Sequence, residues 1–276
     1  MKQQRYQGHG LILTADVGGD PQSPAVVLLH GGGQTRRAWG VTARALIEAG
    51  YYVVSLDLRG HGESDWDANG DYSLDLQVED LRAVLRQLSA PPVLVGASLG
   101  GLISLLTVGE TPQRIASRLV LVDVTPTVDP DGEARVLGFM TAHPRGFASV
   151  EEAAEAVAAY LPHRPRPPST AGLKRNLRLR ADGRYYWHWD PRLFDRLHAS
   201  PQQQRLRYEA AARNVRIPTL LIRGQHSELV NAENVRHFLE LIPTAQFVDV
   251  AGAHHMVAGD RNDIFSAAVL RFLEAP

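Results

Sequence analysis

Hydrophobic and polar positions along the chain alternate between two rhythms. Residues 25–29 are a continuous apolar run of the buried-strand type, and residues 11–17, 51–56, 92–95 and 118–124 also read as strands. Between them the apolar positions recur at helical spacing. One such segment is 36–49, through Trp39, Ala43, Leu46 and Ile47, with Gly50 as its stop. Another is 74–88, with Leu74, Val78, Leu81, Leu85 and Leu88 on one stripe, and a third runs from the glycines after residue 95 through residue 106. Strands alternating with helices imply right-handed crossovers and a mainly parallel sheet, hence an α/β fold with helices flanking the sheet.

From residue 125 to about residue 216 this alternation stops, over a stretch far longer than an ordinary loop. Ser149-Val150-Glu151-Glu152 forms a capping box that opens a helix through Tyr160. A proline-rich break follows at 162–168, and short helices are expected at 171–179, 191–198 and 202–213. The pattern reads as a helical insertion over the C-terminal edge of the sheet, where open α/β folds bind ligands. Alternation then returns, with strands at 219–222 and 246–250 and helices at 232–241 and 264–273. The expected organisation is a core of residues 1–125 and 217–276, with 126–216 inserted as a cap.

Composition narrows the function. The 276 residues fit one large domain with an insertion, and 44% hydrophobic content allows a sizeable core. A net charge of −1 gives no general reason to expect nucleic acid or an anionic membrane as partner. The chain has no cysteine, which excludes disulfides, thiolate catalysis and thiolate metal sites. Its histidines are scattered, and His254-His255 lack the i, i+4 spacing of a helical metal site, so neither metal nor cofactor is expected. The polar first ten residues lack the apolar centre of a secretory signal, and no apolar run reaches membrane-span length. The expectation is a cytoplasmic protein, monomer or homodimer, acting on a small molecule.

The chemistry centres on Val93-Leu94-Val95-Gly96-Ala97-Ser98-Leu99-Gly100-Gly101. A strand ends, a serine stands between two glycines, and a helix begins, which is the Gly-x-Ser-x-Gly form of a nucleophile elbow. The strained turn brings the chain two residues before and two residues after close to itself, so a Cβ at either place would collide. The turn lifts the Ser98 hydroxyl toward a helix N-terminus, where the Leu99 amide points to the place a substrate oxyanion would form. The plainer reading is a Gly-Ser loop after a buried strand; the strand before and the helix after favour the elbow.

With the elbow, three more segments resemble the α/β-hydrolase superfamily, in its group with a helical cap: His30-Gly31-Gly32-Gly33, Asp57-Leu58-Arg59-Gly60-His61-Gly62 and Gly252-Ala253-His254-His255. The resemblance implies that Ser98 is a nucleophile served by a histidine on the loop after the last strand. Two stand there, and the family pattern aligns His255, leaving His254 to shape the loop. For the carboxylate that orients the base, the resemblance offers two places. After the seventh strand, Ser227 occupies the acid's usual position and Glu228 falls one residue late. At the end of the sixth strand stands Asp123, which is assigned as the acid, with Glu228 as the alternative and Ser227 as a helper. The Gly32 amide is the implied second oxyanion donor, and no Gly-Lys-Ser/Thr follows to suggest a phosphate loop. Arg59 and His61 resemble the family's buttress behind the site.

A serine nucleophile implies an acyl-enzyme, hence esters, lactones, thioesters or activated amides. The alternatives are a carbon–carbon hydrolase or lyase on the same residues and a ligand-binding protein that has kept the fold without catalysis. Gln34 and Trp39 near the glycine loop, and Tyr186 and Trp187 in the aromatic run 185–189, are candidate pocket residues, with ordinary packing or cap anchoring as the plainer reading. Arg164, Arg166, Lys174, Arg175, Arg178, Arg180 and Arg184, against only Asp182, could hold a substrate carboxylate or simply form a solvated face.

Overall fold

The computed structural model describes residues 1–164, 166–167, 169–194, 200–260 and 262–275. Its strands are β1 (Lys2–Gln7), β2 (Ile12–Gly18), β3 (Ala25–Leu29), β4 (Tyr52–Leu56), β5 (Val93–Ala97), β6 (Arg118–Val122), β7 (Leu177–Leu179), β8 (Tyr185–Trp187), β9 (Thr219–Gly224) and β10 (Gln246–Val250). Among the described residues, eight of them form one sheet in the order β1-β2-β4-β3-β5-β6-β9-β10, while β7 and β8 pair separately. β1 and β2 join antiparallel at one edge, and every pairing from β4 to β10 is parallel. The helices are α1 (Gly40–Glu48), α2 (Leu74–Leu85), α3 (Leu99–Gly109), α4 (Pro130–Thr141), α5 (Val150–Tyr160), α6 (Ala171–Lys174), α7 (Pro201–Asn214), α8 (Ala232–Leu241), α9 (Val257–Asp260) and α10 (Asn262–Glu274).

The continuous apolar runs are explained by burial on both faces. Successive strand residues point to opposite sides. Val26, Leu28, Val53, Val95 and Val120 therefore meet Ala43 and Leu46 of α1 and Phe265 and Val269 of α10. Val27, Leu29, Val54, Leu94 and Leu121 meet Val78 and Leu81 of α2, Ile103 and Leu106 of α3, and Phe238 of α8. Phe265 has no exposed surface, and its truncation to alanine should cost about 3–5 kcal/mol.

Several expected elements take a different form. β1 has no counterpart among the expected elements because it is an edge strand in which only Tyr6 is buried, so it carries no apolar pattern. The 36–49 helix opens with a 3-10 turn, Arg36–Trp39, before α1. The expected helix 171–179 ends at Lys174, and its remainder becomes β7, whose partner β8 supplies the aromatic residues Tyr185 and Trp187. α4 has no counterpart among the expected elements; Asp129 caps it by accepting from the Asp131 and Gly132 amides, with Pro130 in its first turn. Of the expected helix 191–198, residues 191–194 form a 3-10 turn and the rest lies outside the described residues, as do positions 165 and 168 of the proline-rich break.

Not all of 126–216 stands apart from the sheet. α4, α5 and the β7–β8 hairpin share a small core of their own, including Met140, Phe147, Val150, Ala153, Leu177, Trp187 and Trp189. α7 instead packs on α3: Tyr208, Ala211 and Ala212 belong to the main core. A Cβ added at Gly109 would lie 2.2 Å from the Ala211 carbonyl oxygen. The expected segment 126–216 therefore includes a helix, α7, that packs on α3 as part of the main core. No described helix is long and apolar enough to cross a membrane.

Candidate active site

The parallel strands end together. Ala97 of β5 pairs with Val122 of β6, Val122 with Ile222 of β9, and Gly224 of β9 with Val250 of β10. Residues just beyond these ends share one edge. Ser98 donates its amide to the Val122 carbonyl at 3.1 Å and is thus held at the sheet while its backbone turns to φ +47°, ψ −116°. α3 begins at the next residue. A Cβ on Gly96 would lie 2.4 Å from the Gly100 carbonyl oxygen, and one on Gly100 would lie 2.5 Å from that of Leu29. Both glycines are therefore steric requirements of the turn. Among the described residues, Ser98 and Asp123, at φ +50°, are the non-glycine positions with positive φ. Such strain costs on the order of 1–3 kcal/mol and marks functional sites.

Asp123 follows β6 and is fully buried. Its Oδ1 accepts from the Gly224 amide at 3.1 Å. Its Oδ2 accepts from the Ser227 hydroxyl at 2.6 Å and from His255 Nδ1 at 2.7 Å. Because Nδ1 carries the proton toward the carboxylate, Nε2 of His255 is left with the lone pair a base needs. Glu228 is engaged elsewhere: it pairs with Arg135 at 2.9 Å on the surface. His254 stacks on His163 of the inserted segment, with ring centroids 3.5 Å apart, and its amide donates to Asp260 Oδ2 at 3.0 Å. Burial, followed by the neighbouring His163, holds its ring below the usual histidine range. Asp260 also accepts from Arg164 Nε at 2.6 Å, so the insertion is tied to the histidine loop at this point.

The glycine loop after β3 lies against the elbow, since a Cβ on Gly31 would come 3.3 Å from that of Ser98. The Gly31 amide donates to Gln34 Oε1 at 3.0 Å, and the Gly33 amide to His61 Nε2 at 3.1 Å. Among the described residues, that leaves the Gly32 amide as the one in this run of glycines with no acceptor. The Gly31 carbonyl, on the same peptide plane, accepts from His30 Nδ1 at 2.7 Å and from the Gln34 amide at 3.1 Å. In a trans peptide the N–H points opposite to its carbonyl, so anchoring Gly31 O inward turns the Gly32 N–H away from these anchors. The Leu99 amide opens α3, where a helix offers its first donors no internal acceptor.

The Asp57–His61 segment braces this loop. Asp57 Oδ1 accepts from the Arg36 amide at 2.7 Å, and Arg59 forks onto Asp80 at 2.5 and 2.9 Å. His30 Nε2 accepts from the Leu58 amide at 3.0 Å. Burial is the main reason that His30 and His61 are pushed down to about 3, so both rings are neutral at neutral pH.

The four pocket candidates separate. Gln34 belongs to the glycine loop, which it pins through Gly31. Trp39 is 1% exposed and packs against Phe265 in the core, so it is a packing residue and not a pocket wall. Tyr186 donates to Asp182 and lies under Arg180, on the far side of its hairpin from Trp187. Trp187 is buried in the insertion's own core against Phe147 and Trp189. The side chains that reach the glycine loop are others: a Cβ on Gly33 would lie 2.7 Å from Met140 Cε and 3.2 Å from the Trp189 ring. Met140 carried no sequence signal, because a single methionine on an unanticipated helix fits any apolar face. The basic run is largely occupied: Arg164 pairs with Asp260, Arg178 donates to the Gly62 carbonyl, Arg180 stacks on Tyr186, and Arg184 donates to the Arg145 and Gly146 carbonyls.

An eight-stranded α/β sheet with a serine elbow, a glycine loop and a histidine–carboxylate pair along one edge defines a class that comparison with known proteins identifies. A sequence model described as alpha/beta hydrolase fold matches residues 24–261, and the chain belongs to that family. Its relatives include esterases and other hydrolases. It is 33% identical over 187 residues to Esterase Rv0045c of Mycobacterium tuberculosis, a match that covers 66% of this chain but 61% of that protein, less than two thirds of its length. It is 30% identical over 232 residues to the 2-(acetamidomethylene)succinate hydrolase of Mesorhizobium japonicum, covering 82% of this chain and 79% of that one. A solved structure of the mycobacterial esterase aligns with a TM-score of 0.75 at 28% identity, covering 99% of this chain and 92% of that one.

Proposed function

We propose that this protein is a cofactor-independent serine hydrolase that cleaves a small carboxylic ester through an acyl-enzyme on Ser98. The observation that carries the reading is the 2.7 Å hydrogen bond from His255 Nδ1 to Asp123, at a strand end next to the elbow. In this reading Ser98 Oγ attacks the ester carbonyl carbon while its proton passes to His255 Nε2. The carbonyl oxygen becomes an oxyanion that accepts from the Gly32 and Leu99 amides. Collapse breaks the bond to the alcohol oxygen, which leaves with the proton from His255. Water then attacks the acyl carbon, gives a proton to His255, and Ser98 takes that proton back as the acid departs. Asp123 keeps the imidazole in the required tautomer and stabilises its protonated form.

Met140 and Trp189 crowd the glycine loop with apolar groups, which supports a short acyl chain over a long one. The segment that serves as the cap in this reading runs from residue 126 to the 3-10 turn Pro191–Phe194, with α7 part of the core. The esterase among the relatives supports an ester as the bond cleaved. The test is fluorophosphonate labelling together with a series of p-nitrophenyl esters of increasing acyl length. Labelling and turnover that vanish in Ser98→Ala support the reading. Full activity in that variant overturns it.

A further inference from the structure

The glycine loop is gripped from two directions. From the core side, the Gly33 amide donates to His61 Nε2, and His61 Nδ1 donates to the Arg59 carbonyl at 3.0 Å. From the inserted segment, His188 reaches the same residue. It follows β8, it is 2% exposed, and its Nδ1 accepts from the Gly62 amide at 2.9 Å. Since that nitrogen accepts, the ring proton lies on Nε2, which donates to the Gly33 carbonyl at 3.2 Å. His30, His61 and His188 thus form a row, with ring centroids 5.0 and 6.0 Å apart, that spans the core loop, the Asp57–Glu63 loop and the insertion.

Resting on the serine-hydrolase reading, we propose that His188 is a positioning residue for the oxyanion site: as a neutral ring it bridges Gly62 to the Gly33 carbonyl and fixes the Gly33–Gln34 peptide, while His61 holds the intervening Gly32–Gly33 peptide that follows the Gly32 amide. The insertion is then a working part of the catalytic centre as well as a cover for it. Three observations argue for this role over simple anchoring.

First, the insertion is already anchored beside this point without His188. Asp190 accepts from the Tyr72 hydroxyl at 2.6 Å and donates its amide to the Gly60 carbonyl at 2.9 Å, Arg192 reaches the Asp67 carbonyl at 2.9 Å, and Arg178 reaches that of Gly62. Second, the pair of bonds requires an acceptor and a donor at opposite corners of one rigid ring, which only a neutral imidazole supplies. Burial is the main cause that keeps this ring neutral, with its pKa pushed down to about 3. Third, Gly33 adopts φ +71° and is covered by Met140 and Trp189, so its conformation is held by hydrogen bonds and insertion contacts and not by a side chain of its own. Donors that must meet a developing charge work only when their geometry is set in advance.

The test compares His188→Ala, His188→Gln and His188→Asn with wild type on p-nitrophenyl butyrate, alongside the Ki of a trifluoromethyl ketone. A glutamine amide can stand in for the Nε2 donor toward Gly33, whereas an asparagine can only replace the acceptor toward Gly62. The expected result is a kcat loss of about 10- to 100-fold in the alanine and asparagine variants with KM within about twofold, a part of the 10²–10³ assigned to a whole oxyanion donor. The ketone Ki should rise by the same factor as kcat/KM falls, and the glutamine variant should recover to within about threefold of wild type. Where His188→Ala does not fold, the glutamine–asparagine contrast decides. Folded glutamine and asparagine variants with equal, wild-type kcat, or a loss confined to KM, overturn the proposal. Ser98→Ala separates the two levels: if that variant stays active the serine reading fails, whereas wild-type kcat in folded His188 variants removes only the role of His188.

Discussion

The hydroxyl of Ser227 donates to Asp123 Oδ2 at 2.6 Å, the same oxygen that receives His255 Nδ1 at 2.7 Å. Ser227 in turn accepts from the Leu229 and Val230 amides at 3.1 and 3.0 Å. Two backbone donors thus occupy its oxygen and commit its proton to the carboxylate. A hydrogen bond to a charged group contributes about 1.5–3 kcal/mol. Ser227→Ala should therefore lower kcat on p-nitrophenyl esters by about tenfold or more with little change in KM; an unchanged kcat would reduce Ser227 to a loop residue.

The two carboxylates that follow β6 and β9 are separable by mutation. Asp123 is buried against His255, whereas Glu228 pairs with Arg135 at the surface. Asp123→Asn is expected to leave the fold intact and lower kcat by about 10⁴, the effect of forcing the wrong imidazole tautomer. Glu228→Gln should stay within about twofold, since exposed pairs contribute little. The opposite pattern in steady-state kinetics would exchange their roles.

Acyl-chain preference should follow Met140. Its methyl group lies 3.7 Å from where a Cβ on Gly32 would stand. Shortening it to alanine opens space beside the glycine loop. Met140→Ala is expected to shift the optimum of the p-nitrophenyl ester series by about two to four carbons, on the basis of roughly 0.8 kcal/mol per newly buried methylene. An unaltered chain-length profile would place the acyl group elsewhere.

Stability should fall on acidification because of the histidine row. His30, His61 and His188 are each held at about 3 in the fold, burial being the largest cause, against about 6.5 in the unfolded chain. Above pH 6.5 both states are neutral and the row's contribution is complete. Below it the unfolded chain binds protons that the fold refuses, so stability is lost at up to about 1.4 kcal/mol per pH unit for each ring until pH approaches 3. Urea midpoints measured from pH 7 to pH 4 should drop steadily, with a shallower slope in His188→Gln. Equal slopes in the two proteins would contradict the buried neutral state of His188.

The alternation of apolar runs with amphipathic stripes determined the α/β class, because side-chain period is a local property that burial on one or two faces writes directly into the chain. The elbow was equally legible: the collisions that require Gly96 and Gly100 arise within a turn and from the neighbouring strand end. Elements without such a pattern are not legible in the chain, as with the polar edge strand β1, the short hairpin β7–β8, and α4, whose start is marked only by Asp129-Pro130. Whether Asp123 or Glu228 meets His255 depended on β6 lying beside β9 and β9 beside β10, an order that no window of sequence contains. The grip of His188 on Gly33, across 155 positions, likewise arises only when the insertion folds back onto the core. Local sterics and periodicity act over a few residues and can be read from the chain, whereas contacts between separate strand ends exist only once the sheet has set its neighbours.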